Sequence, residues 1–159
     1  MTTISESVRV LKTRHFGEIE WSPQSEIVFP CGLPGFEDER RIIAVEIPAL
    51  RPLVYLQSAD HEDVCFLALP AQTISPSYSP ALTDYERTWL LLPDKENLEI
   101  GVDILCLFLL IPSGDTVQVN LNAPVVINLH NLLGVQCEPL VPACSRVELT
   151  DRGTWDAVC

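Results

Sequence analysis

Phe29-Pro30-Cys31-Gly32-Leu33-Pro34-Gly35-Phe36-Glu37-Asp38 packs two prolines and two glycines into the six residues 30–35. Pro fixes φ and removes a backbone donor, and Gly admits conformations that other residues avoid. Together they specify a stiff, sharply turned loop, framed by Phe29 and Phe36 and followed by acidic residues. No side chain in residues 32–36 can do acid–base or nucleophilic chemistry. The loop is a shape for another molecule to grip. Leu33, Pro34 and Phe36 are expected to form it, and Glu37 and Asp38 to offer charge beside it. Phe36 has two readings, a plug for a barrel end or a contact for a partner, because large aromatics gain by burial in either place.

The segments on both sides read as short strands. Residues 16–21 alternate apolar and polar side chains after Gly17, the period of a half-buried strand. Residues 8–13, 27–29, 41–46, 53–58 and 64–69 are β-rich and bounded by turn residues. Thr83 with Glu86 three positions later is a capping-box pattern, predicting one short helix that runs through residue 92 and stops before Pro93. Residues 102–111 are apolar without alternation and read as a central strand. Residues 116–121, 125–128 and 135–137 supply further strands. Short strands at this spacing predict an all-β, mainly antiparallel, small barrel-like domain over residues 1–142. Residues 143–159 are predicted to form a loosely ordered tail.

Charge and cysteine usage narrow the function. Ten Lys and Arg against 22 Asp and Glu give a formal net charge of −12. That surface repels phosphate backbones and disfavours direct nucleic-acid binding, while a basic protein partner would be steered towards it. Cys31, Cys65, Cys106, Cys137, Cys144 and Cys159 form no C-x-x-C pair, and residues 1–13 lack the apolar core of a secretory signal. Free thiols in a cytoplasmic protein follow. No zinc site is expected, because His15, His61 and His130 have no ligand partner nearby in sequence. The apolar run 104–111 is too short to span a bilayer.

Asp60-His61-Glu62-Asp63 is the one cluster with a proton-transfer or metal-ligand composition. Between two strands it reads first as a solvated turn, with Glu62 and Asp63 available for charge pairing. Cys31 has no local base to activate it. G-x-S-x-G, P-loop and G-x-G-x-x-G patterns are absent from the sequence. Asn120, Asn122 and Asn128 surround a strand interrupted by Pro124. Their side chains either close a bulge where Pro124 cannot donate or present a polar edge to a partner strand. Pro30, Gly32, Pro34, Gly35 and Pro124 are read as structural.

Three blocks carry a family resemblance. They are Lys12-Thr13-Arg14-His15-Phe16-Gly17-Glu18-Ile19-Glu20, the loop segment widened to residues 27–41, and Val119-Asn120-Leu121-Asn122-Ala123-Pro124-Val125-Val126-Ile127-Asn128. In these the chain resembles the flagellar assembly factor FliW family. The resemblance implies a small cytoplasmic barrel-like protein without catalytic activity or cofactor. It implies binding to the translational regulator CsrA, relief of CsrA repression of flagellin mRNA, and binding to flagellin in a partner-switching loop. The chain is expected to act as a monomer away from membranes. The competing reading is a small-ligand or flavin-binding split barrel, since small barrels can hold one ligand.

Overall fold

The computed structural model describes residues 8–94, 97–137 and 146–158. The chain opens with a hairpin of β1 (Arg9–Thr13) and β2 (Gly17–Trp21), Leu11 opposite Ile19. The Thr13 hydroxyl ties the turn, donating to the Gly17 carbonyl at 2.8 Å and accepting from the Phe16 N–H at 2.9 Å. Four strands follow, β3 (Ile27–Val28), β4 (Arg41–Val45), β5 (Val54–Ser58) and β6 (Cys65–Pro70). Two short helices come next, α1 (Ala71–Ile74) and α2 (Asp84–Trp89). The chain continues through β7 (Ile104–Leu109), β8 (Ile111–Ser113), β9 (Thr116–Asn120), β10 (Val125–Asn128) and β11 (Leu133–Gln136). It ends in β12 (Arg146–Leu149) and β13 (Trp155–Val158).

Seven strands close into a barrel in the order β10-β11-β3-β4-β5-β6-β7. All its pairings are antiparallel except that of β11 with β3, where Leu133 lies opposite Val28. The all-β, mainly antiparallel barrel expected from the sequence is the observed fold. A second sheet, ordered β13-β12-β9-β8, lies beside it and was not anticipated.

The unbroken apolar run at β7 has a direct cause. Successive side chains of a strand point to opposite faces. Leu107 enters the barrel core with Phe29, Leu33, Ile42, Leu56 and Ile127. Ile104, Cys106 and Phe108 enter a second core with Leu90, Val119, Val126 and Cys137, against which Val147 and Trp155 pack. β10 divides the same way, with Val125 and Ile127 in one core and Val126 in the other. Both strands are buried on two faces, so neither shows polar alternation.

Three expectations are corrected. Residues 146–158, predicted to be a loose tail, form the β12–β13 hairpin, joined to β9 by Val147 opposite Val119. Burial of Val147 and Trp155 against the second core supplies what the polar composition hid. The predicted boundary at residue 142, with residues 143–145 and 159, lies outside the described residues. The predicted helix is α2, capped as expected by the Thr83 hydroxyl, which accepts from the Glu86 N–H at 3.1 Å. It ends at Trp89 rather than residue 92. The Leu90 carbonyl accepts from the side-chain amides of Asn128 (2.8 Å) and Asn131 (3.2 Å), and Leu91 turns left-handed at φ 51°. The other helix, α1, is a single turn without a side-chain cap and leaves no periodic signal.

Candidate protein-binding site

The loop between β3 and β4 is a knot of short backbone bonds. Gly32 donates to the Phe29 carbonyl at 2.9 Å, Leu33 and Phe36 exchange bonds of 3.1 and 2.7 Å, and Glu39 donates to Phe36 at 3.0 Å. Pro34 and Gly35 form the tip of the turn between Leu33 and Phe36. Gly32 sits at φ 65°, and a Cβ there would meet the Glu37 carbonyl oxygen at 2.5 Å. Only glycine fits where the two limbs touch.

The loop sorts its apolar residues by direction. Phe29 and Leu33 are buried in the barrel core. Leu33, expected among the partner contacts, is therefore a core residue. With Leu56, Leu107 and Ile127 these side chains fill the lumen where the ligand-holding reading would put a ligand. Phe36 stays outside, 47% exposed, edge-on to Phe66 with centroids 5.0 Å apart. It does not plug the barrel; Phe29 and Leu33 do.

Glu37 and Asp38 meet Asp63, distant in sequence, around one cleft of about 350 Å³ that Phe36 also lines. His61, singled out in the sequence as part of the Asp60–Asp63 turn, and Glu39, which sequence reasoning missed, also line it. Glu39 is only 4% exposed; its Oε1 lies 2.6 Å from His61 Nδ1, and its Oε2 has no partner among the described residues. Glu62 is exposed on the same turn but outside the cleft, its carbonyl accepting from the Arg14 N–H at 2.9 Å. The turn is held from beneath. The Ser58 hydroxyl accepts from the Asp60 and His61 N–H groups at 3.1 and 3.0 Å. The buried Gln57 amide donates to the carbonyls of Ser58 (3.1 Å), His61 and Glu62 (both 3.4 Å).

Two cations flank the cleft, the exposed Arg40, whose Nε donates to the Glu37 carbonyl at 3.5 Å, and Arg41. Arg41 bridges Glu26 (2.8 Å) and Asp60 (2.8 Å), and the Glu26 hydrogen bond, ahead of the other pairings, raises its pKa further. What remains on the cleft is an acidic shelf with one exposed aromatic ring. Such a surface attracts a basic protein. Among the described residues no three His, Cys, Asp or Glu side chains are grouped to hold a metal ion, and no helix is long and apolar enough to cross a membrane.

Two of the three asparagines, Asn120 and Asn128, serve the backbone with their side chains. Asn120 Oδ1 accepts from the Asn122 N–H at 3.0 Å, and Asn120 lies opposite Arg146 in a strand flanked on both sides. Asn128 is buried, bonded to Leu90 and accepting from the His130 N–H at 3.0 Å. Neither β9 nor β10 offers the free edge that partner-strand addition needs. The interruption at Pro124 is closed by its carbonyl, which accepts from the Cys137 N–H at 2.9 Å. Among the thiols, Cys31 is exposed, and burial pushes Cys65 up to about 11 and Cys106 up to about 12. Cys144 and Cys159 lie outside the described residues.

Comparison with known proteins places this geometry. The family model described as FliW protein matches residues 10–139. A flagellar assembly factor FliW from Caldicellulosiruptor bescii is 31% identical over 127 residues, covering 80% of each chain. One from Natranaerobius thermophilus is 32% identical, covering 77% of this chain and 79% of that protein. The crystal structure of a flagellar assembly factor FliW superposes with a TM-score of 0.71 at 26% identity, covering 83% of this chain and 89% of that one. The chain belongs to the FliW family of flagellar assembly factors.

Proposed function

We propose that this chain is a non-enzymatic, monomeric cytoplasmic regulator that binds the translational regulator CsrA, relieves its repression of flagellin mRNA, and binds flagellin in exchange. The observation that carries the reading is the acidic shelf. Glu37, Asp38 and Asp63 converge beside the exposed Phe36, held on two stiff turns. Fixed like charges on a rigid frame steer an oppositely charged partner and hold its register at little ordering cost. CsrA, as a basic RNA-binding protein, is the partner of matching sign. Membership in a family of flagellar assembly factors supplies the pathway.

The test is co-purification of the full chain with CsrA and, separately, with flagellin, at low and high salt. Binding to CsrA should weaken as salt rises. The double variant Glu37→Lys, Asp38→Lys should bind CsrA at least about tenfold more weakly, by loss and reversal of two rim charges. No binding of either protein at low salt overturns the proposal. Undiminished CsrA binding by the variant removes the shelf from it.

A further inference from the structure

Among the described residues that line the acidic cleft, His61 alone can gain a positive charge. Its side chain is 51% exposed, so water reaches the ring, while the Glu39 side chain against it is 6% exposed. Their contact is direct, Nδ1 to Oε1 at 2.6 Å. A carboxylate oxygen only accepts, so Nδ1 carries the proton of that contact and a second proton goes to Nε2. The pair therefore has two states one charge apart. It carries one negative charge with a neutral imidazole and none with an imidazolium.

The ring keeps its place in both states, because the turn beneath it is held through its backbone. The His61 N–H donates to the Ser58 hydroxyl at 3.0 Å, and the His61 carbonyl accepts from Val64 at 3.2 Å. The charged groups around the ring come from four elements. The β3–β4 loop brings Glu37, Asp38 and Glu39, with Arg40 donating to the Glu37 carbonyl at 3.5 Å. The turn itself brings Asp60, Glu62 and Asp63. Arg41 of β4 takes Asp60 and Glu26 together, so those charges offset one another. Arg14, from the β1–β2 turn, meets Glu62 through its backbone N–H. On the cleft itself Glu37, Asp38, Asp63 and Glu39 face a single titrating imidazole.

We propose that His61 is a proton switch for the acidic shelf: its imidazolium cancels one of the shelf's charges and loosens the hold on a basic protein. The switch regulates the site proposed above and rests on that reading. Histidine is the side chain whose ordinary charge change falls between about pH 5 and 8. A proton on His61 and a basic partner on the shelf then oppose each other, and linkage makes the opposition mutual.

The test has two arms, both on the full chain. In the first, the Kd for CsrA is measured at pH 8 and at pH 5.5, for the wild type and for His61→Gln, whose amide stays neutral and can still donate to Glu39. Acidification should cost the wild type about fivefold more affinity than the variant, the scale of one unit charge at close range in water. Titration of His15, His130 and CsrA itself is common to both and cancels in that ratio. In the second arm, two-dimensional NMR follows the free protein across the same pH range. The His61 ring Cε1–H should titrate, and the amides of Glu39 and Asp63 should move with the same midpoint. That movement should be absent in His61→Gln. Equal acid sensitivity of the two proteins overturns the switch. A His61 ring that keeps one protonation state from pH 8 to pH 5.5 overturns it too, as do amides that ignore the ring. A wild type that binds CsrA at neither pH fails the shelf instead, and the NMR arm still decides whether His61 changes the charge of the cleft.

Discussion

The Phe29 ring packs against Gly134, so close that a Cβ on Gly134 would come within 2.6 Å of ring carbons Cε1 and Cζ. The contact joins β3's end to β11, the one parallel pairing in the barrel. Phe29 is fully buried, so the ring cannot swing out to make room. Gly134→Ala should therefore destabilise the fold by about 1–3 kcal/mol, the usual range for overpacking a filled core. Urea unfolding should show a lower midpoint at unchanged slope.

Gly32→Ala should cost at least as much, from two sources at once. The left-handed φ of 65° disfavours a side chain, and the new Cβ would collide with Glu37 backbone atoms. Because Glu37 lines the acidic cleft, the variant should also weaken partner binding at temperatures where it stays folded. Thermal melting and a binding titration on the same sample check both effects.

Asn128→Ala should lower stability by about 1–3 kcal/mol, because it removes the shorter of two amide hydrogen bonds to the Leu90 carbonyl, leaving Asn131 alone there, and frees the His130 N–H. The loss should concentrate at the end of α2. Hydrogen exchange at the amides of Leu90, Leu91 and Leu92 should accelerate more than in β4 or β5.

Alkaline pH should destabilise the chain through its buried thiols. Cys65 and Cys106 hold their protons up to about 11 and about 12, against 9.0 for a solvated cysteine. Above pH 9 the unfolded chain binds fewer protons than the folded one, so stability falls as pH rises. The contribution is whole below pH 9 and is lost as pH climbs through about 11 and then about 12. Melting temperatures measured between pH 8 and about 11 should decline, and Cys106→Ala should flatten that decline.

How much of this was legible in the sequence follows from the range of the physics involved. Alternation in β2 and β9, the Thr83 cap and the turn chemistry at residues 30–35 are local, and each appears where residues a few positions apart said it would. The acidic shelf joins residue 37 to residue 63, and nothing in either stretch announces the other. Glu39 looked like one more residue of an acidic run, and its burial against His61 needed the fold. Leu33 was misassigned because a loop leucine carries no mark of the face it will turn to. The β12–β13 hairpin was hidden for a similar reason, since Val147 and Trp155 are short anchors whose partners are made by β7 and β9.

β7 and β10 are shared walls, each giving one face to the barrel and one to the core under the second sheet. Two compartments with a common wall cannot melt independently. Pulling away the β12–β13 hairpin would uncover the apolar outer side of the barrel itself, including Phe108 and Val126. The chain is thus thermodynamically a single cooperative body despite its two cores, and calorimetry should record one transition whose calorimetric and van't Hoff enthalpies agree.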